Sequence, residues 1–384
     1  MTKYKVLRRR FRLPSTGGLE GVVATTSAVS SIINGVLTYK GYDIDDLAEK
    51  STFEEVVYLL WNDKLPNLSE LEAFKKELFE EMTVPSEIFE QIKSFPLQGV
   101  HPMGVLRSAV SALGLYDSEA DEMTEAANKR KALRLQAKLP TIVAGFSRIR
   151  DGKDPVAPRN DLSFAGNFLY MLFDREPNSI EIEAFNKALI LHADHELNAS
   201  TFTARVCVAT LSDVYSGITA AISALKGPLH GGANEQVMKM LSGIGSVDQV
   251  EPYLEKAFAN KEKIMGFGHR VYKNGDPRAK HLKEMSRQLT KISGEPKWYD
   301  MSVKMEEIVA KEKGLLPNVD FYSGSMYHSM GISRDIFTPI FAISRVSGWL
   351  AHILEQYANN RLIRPRAEYV GPGHRNYVAI EDRK

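Results

Sequence analysis

"IFTPIFAISRVSGWLAHIL", residues 336–354, decides the fold class. Ile336, Ile340, Ile343, Val346, Leu350 and Ile353 recur at spacings of three and four, the period of a helix with one apolar stripe to bury. The same period runs through "FEEVVYLLWN" (53–62) and "TEAANKRKALRLQAKLPTIVAGFSRI" (124–149). "NSIEIEAFNKALILHADHEL" (178–197) adds a start signal, with Asn178 as N-cap and Glu181 three residues on. Strand candidates such as "GVLTYKG" (35–41) are few, no internal repeat or heptad array occurs, and "RDGKDPVAPRND" (150–161) reads as a loop. A mainly α-helical protein follows. Within the deciding stretch, Arg345 shares a helix face with Gly348 and His352, an odd position for a charge that is merely solvated.

Composition narrows the function. With 384 residues and 43% hydrophobic content the chain can bury a large core in two or more lobes. Lys and Arg number 49 against 48 Asp and Glu, so no broad positive field exists to neutralise nucleic-acid phosphates, although a few local arginines can still hold a small anion. Cys207 is the only cysteine, which excludes an intramolecular disulfide and a cysteine-based zinc cluster and fits a reducing cytoplasm. The basic opening "KYKVLRRRFR" (3–12) is followed by no apolar run, so it reads as a surface arm rather than a secretory signal; a transit peptide is the other reading. The longest interior apolar stretch, "VCVATLSDVYSGITAAISALKG" (206–227), carries Asp213 and many hydroxyls, so no membrane span is expected.

The chemistry must come from local stretches, and four stand out. "LHADHELNAST" (191–201) sets His192 and His195 three apart with Glu196 beside them; the order HxxHE differs from the usual zinc helices, and histidines at a helix end also suit its dipole. "GPLHGGANE" (227–235) places His230 between glycines ahead of a helix start. "IMGFGHRVYKNGDPRAKHL" (264–282) places His269 after a Gly-x-Gly, followed by Arg270, Lys273 and Arg278, cations that suit phosphate or carboxylate; it is not a dinucleotide fingerprint. "PNVDFYSGSMY" (317–327) sets Asp320 between Val319 and Phe321, either a desolvated base of raised pKa or an aspartate hydrogen-bonded in a turn near Asn318. Together, two histidines in glycine-rich loops, a desolvated aspartate and scattered arginines suit removal of a weakly acidic carbon-bound proton without a metal.

With these residues the chain resembles the citrate synthases, in the short form of Gram-positive bacteria and archaea. "HADHELNAST", "GPLHGGANE", "GFGHRVYKNGDPR", "NVDFYSG" and "IRPR" stand in that family's order, and the likeness runs from Gly18 to "YVAIEDR" (377–383). It implies condensation of acetyl-CoA with oxaloacetate and water to citrate and CoA, the entry step of the tricarboxylic acid cycle. Asp320 matches the base that takes a methyl proton from acetyl-CoA, and His230 the donor to the thioester oxygen as the enol forms. The glycines would admit the thioester, and the helix start beyond would keep the imidazole neutral. His269 matches the group that polarises and then protonates the oxaloacetate ketone. His195, Arg278 and Arg345 match the clamp on its carboxylates, and Arg364 an arginine lent across a homodimer interface. Arg270 and Lys273 are candidates for the CoA phosphates.

The same likeness implies no metal or other cofactor. It also implies a helical large domain, 1–225 and 332–384, over which a small domain, 226–331, closes once oxaloacetate binds. The related 2-methylcitrate synthases, which use propionyl-CoA, share nearly the same motifs, and one methylene changes discrimination by only ~1–3 kcal/mol. A catalytically silent family member is a further alternative, against which the intact His230, His269 and Asp320 argue.

Overall fold

The computed structural model describes residues 19, 21–269 and 271–383, so the basic stretch 3–12 and Arg270 lie outside the described residues. Among these are sixteen α-helices and one three-stranded antiparallel sheet, in line with the helical periodicity. Phe53–Asn62, Glu125–Arg150 and Ser179–His192 coincide with the periodic stretches, and Asn178 and Glu181 form the expected capping box.

The helix Phe337–Ala358 is the axis of the molecule. Every residue from Phe337 to Ile353 is buried, so the single apolar stripe expected for it is a correction: the helices Glu125–Arg150, Ala199–Val208, Val214–Leu225, Ser179–His192 and Phe53–Asn62 surround it on all sides. Its polar residues are tolerated there because they are bonded: Ser347 donates to the Ser344 carbonyl at 2.7 Å and Arg345 Nε to the His192 carbonyl at 2.6 Å. It belongs to the only described helical stretch long and apolar enough to cross a bilayer, and that stretch is wholly enclosed by protein.

Gly348 explains how a turn comes to lie against this helix. A Cβ there would fall 2.4 Å from both the Ala193 carbonyl oxygen and Asp194 Oδ1, and its own N–H donates to Ala193 O at 3.1 Å. The sheet grips the same turn from the other side. Its strands are Ser30–Ile33, Val36–Tyr39 (within the "GVLTYKG" stretch) and Tyr42–Asp43. The buried Tyr39 hydroxyl accepts from the Asp194 N–H at 3.1 Å and sits 3.0 Å from the Asp194 carbonyl.

A second group of helices follows residue 226. Ala233–Ile244, Val250–Ala259, Ala279–Ile292, Lys297–Lys313 and Val319–Ser329 pack mainly on one another. Ala279–Ile292 rests against Ser179–His192, and Ala233–Ile244 against Phe337–Ala358. Loops and helices of both groups, the helix Phe337–Ala358 among them, line the candidate site.

Candidate active site

Six residues singled out from the sequence, His195, His230, His269, Arg278, Asp320 and Arg345, line one cleft of about 940 Å³. They come from five separate stretches of chain.

His195 sits on the turn held by Tyr39 and Gly348. Glu196 beside it adopts a left-handed φ of 48° and accepts the Ile32 N–H at 2.7 Å, which ties the turn to the sheet. Its Nε2 lies 3.0 Å from the Tyr272 hydroxyl. Burial, then the charges of Arg278 and Arg345, hold its pKa well below the usual range, so the ring is neutral.

His230 is neutral for a related reason. Burial and then Arg345 lower its pKa to about 4. Its Nε2 accepts the Ser200 N–H at 3.3 Å and lies 2.8 Å from Ser200 Oγ, to which the Trp349 indole N–H donates at 3.0 Å. A backbone amide cannot accept, so Nε2 is bare and Nδ1 carries the proton. The amide that sets this tautomer starts the helix Ala199–Val208, not the helix Ala233–Ile244 that follows the glycines. Gly231 serves packing: a Cβ there would fall 2.3 Å from the Leu225 carbonyl oxygen.

His269 has the opposite tautomer. Its Nδ1 accepts the N–H groups of Val271 at 3.1 Å and Tyr272 at 3.4 Å, leaving Nε2 protonated. Burial, then Arg278, lower its pKa to about 4. Asp320 moves the other way, up to about 6, because burial outweighs the attraction of Arg278. It stands in the first turn of Val319–Ser329, with Asn318 as the N-cap accepting the Asp320 N–H at 3.1 Å. Asn318 also donates its side-chain N–H to the Gly268 carbonyl at 2.9 Å and its backbone N–H to Gly266, tying the aspartate's helix to the His269 loop.

The two arginines differ. Arg278 is paired bidentately with buried Asp276, Nε at 2.9 Å and Nη2 at 2.8 Å, and that carboxylate raises its pKa despite burial. Arg345, 2% exposed, has no carboxylate within ion-pair distance among the described residues; its guanidinium lies 4.6 Å from the centre of the Phe341 ring, and burial lowers its pKa to about 10. A buried cation without a counter-ion is costly, and the cleft is where an anionic ligand would supply one.

Other expected residues stand apart. Arg364 is exposed within the stretch 360–379, which has neither helix nor strand, and does not line this cleft, and neither does the exposed Lys273. His192 is a core residue, its Nδ1 on the Ala188 carbonyl at 2.7 Å and its pKa pulled down to about 3 chiefly by burial. Among the described residues no three His, Cys, Asp or Glu side chains lie close enough to hold a metal ion. Ser200, Trp349, Tyr272 and Asp276 went unnoticed in the sequence. Only Asp276, two residues before Arg278, carried a local signal, since such a spacing lets a carboxylate reach the guanidinium.

The family model for the citrate synthase C-terminal domain matches residues 18–366. Citrate synthase 2 of Bacillus subtilis (strain 168) is 68% identical over 371 residues, covering 97% of this chain and all of that protein. A 2-methylcitrate synthase of Mycobacterium tuberculosis is 44% identical over 92% of this chain and 90% of its own length. Among solved structures, the citrate synthase of Pyrobaculum aerophilum superposes with a TM-score of 0.89 at 42% identity, over the full length of both chains. The citrate synthase of Thermoplasma acidophilum, in ternary complex with carboxymethyl coenzyme A and oxaloacetate, does so with a TM-score of 0.88 at 36% identity, over 94% of this chain and 98% of that one. The fold agrees with these likenesses, and the chain belongs to the citrate synthase family.

Proposed function

We infer that the protein is a citrate synthase, an acyltransferase that joins acetyl-CoA to oxaloacetate and, with water, releases citrate and CoA. The observation that carries this reading is the buried Arg345, without a carboxylate partner among the described residues, in a cleft that also holds a carboxyl of raised pKa and two neutral imidazoles of opposite tautomer. Oxaloacetate, a dianion, supplies the missing negative charge, held by Arg345, Arg278 and His195.

The steps follow from the protonation states. The Asp320 carboxylate takes a proton from the acetyl methyl group. His230 Nδ1–H donates to the thioester oxygen, and its lowered pKa favours stabilising the enol by hydrogen bonding. The methylene carbon attacks the oxaloacetate ketone and the C=O electron pair moves onto oxygen. His269 Nε2–H hydrogen-bonds to that oxygen and protonates it, and the proton that Asp320 took from the methyl group is relayed back through water to His269 Nε2, so citryl-CoA forms with no net proton change. Water then cleaves the thioester. No metal takes part, so exhaustive dialysis against EDTA leaves the rate unchanged; a loss of activity restored by zinc would overturn this.

The enzyme works as a homodimer in the cytoplasm, with Arg364 reaching the partner's cleft and Arg270 and Lys273 meeting the CoA phosphates. Residues 226–331 form a small domain that closes over the large one; the mutual packing of their helices supports that division. The assay is release of free CoA from oxaloacetate with acetyl-CoA or propionyl-CoA. A higher kcat/KM with acetyl-CoA is expected, in keeping with the greater identity to a citrate synthase than to a 2-methylcitrate synthase. The reverse preference would make this protein a 2-methylcitrate synthase.

A further inference from the structure

Tyr272 is 4% exposed and does not line the cleft, yet it touches two of the histidines that do. Its backbone N–H points at His269 Nδ1 from 3.4 Å, and its hydroxyl lies 3.0 Å from His195 Nε2. Its ring centre is 4.7 Å from that of His269 and 5.5 Å from that of His195, and the Arg278 guanidinium lies over its face at 5.8 Å. One side chain, carried by the same loop as His269, thus braces a histidine of the facing helical group.

The direction of the hydroxyl contact follows from its chemistry. A phenol is a much stronger donor than acceptor, and burial pushes this one up, so it keeps its proton. The neutral imidazole of His195 offers a bare nitrogen to receive it. The hydrogen bond O–H···Nε2 leaves the ring proton on Nδ1.

We propose that Tyr272 is a positioning residue of the oxaloacetate site, whose phenol O–H fixes His195 as the Nδ1–H tautomer and so decides which ring nitrogen can donate to a substrate carboxylate. The affinity part rests on the reading of His195 as an oxaloacetate contact; the tautomer part does not. Tyr272 also joins the two histidines mechanically, because movement of the 266–276 loop that shifts His269 pulls on the partner of His195 as well.

Tyr272→Phe isolates the phenol, since it keeps the ring packing and the backbone N–H to His269. In full-length enzyme labelled with 15N-histidine, with the His195 signals identified by their loss in His195→Asn, the unliganded wild type should show a protonated Nδ1 and a bare Nε2. Tyr272→Phe should move His195 towards a mixture or to Nε2–H, while the His269 signals stay in place. Calorimetric titration with oxaloacetate should then give a Kd raised by roughly three- to tenfold, as expected for one lost hydrogen bond. A His195 tautomer identical in wild type and variant, or protonated on Nε2 in the wild type, overturns the proposal, even where oxaloacetate binds normally. A changed tautomer with unchanged Kd overturns its affinity part. Failure of the wild type to bind oxaloacetate at all would sink the substrate reading instead, with the tautomer measurement still deciding the role of Tyr272.

Discussion

In the proposed mechanism Asp320 is the base. Its carboxyl, raised to about 6, must be ionised to accept a proton, so kcat/KM should fall as pH drops through about 6. The histidines, lowered to about 4, stay neutral across that range and leave this limb to Asp320. Asp320→Asn should cut kcat by about 10²–10⁴-fold while oxaloacetate still binds, read by turnover and by calorimetry. Near-normal turnover would dismiss Asp320 as the base. The substitution should also stabilise the fold above pH 6. With the folded pKa above the unfolded one, the native state prefers the protonated form, and the stability that this gives is lost as pH rises from about 4 to about 6. Relief of up to about 3 kcal/mol is expected at pH 8 and none at pH 3, measured by urea unfolding.

At the scale of elements, Asn318 illustrates how local capping becomes catalytic geometry. Its side chain starts the helix that carries Asp320 and grips Gly268, one residue before His269. Asn318→Ala should therefore cost about 1 kcal/mol of stability, as for a lost cap, and also lower kcat through both groups at once. Asn318→Asp should restore the cap but not the donor to Gly268, so recovered stability with unrecovered kcat is the expected pattern. Equal recovery of both would reduce Asn318 to a helix cap. The capping box at Asn178 was legible in sequence because its partner lies three residues away. The bond from Asn318 to Gly268 was not, because it spans fifty residues.

The whole molecule sets the place of Arg364. It is exposed and absent from the cleft of its own chain, which suits a residue that completes the site of a second copy. Asp320→Asn and Arg364→Ala should each be nearly inactive as homodimers. Unfolded and refolded together, they should regain about a quarter of wild-type activity, because about half the dimers are mixed and each mixed dimer has one intact site. No recovery in verified heterodimers would return Arg364 to its own subunit.

Helix content was determined by sequence alone, because periodicity and capping act within four or so residues along the chain. The stretch 336–354 nevertheless misled about burial: its apolar stripe says which face is buried first, whereas burial of Ser344, Arg345 and His352 depends on bonds to chain more than a hundred residues away. The six cleft residues could be named from their motifs, since each motif is short and glycine-rich or oddly charged. Their protonation states were legible only in part: a neutral His230 and a raised Asp320 were among the expectations, but not the groups that cause them or the tautomers. The neutral Nδ1–H form of His230 depends on Ser200, the Nε2–H form of His269 on a loop bend, and the raised carboxyl of Asp320 on burial among helices distant in sequence. A pKa or tautomer is a property of what surrounds a group, and only the tertiary structure assembles those surroundings.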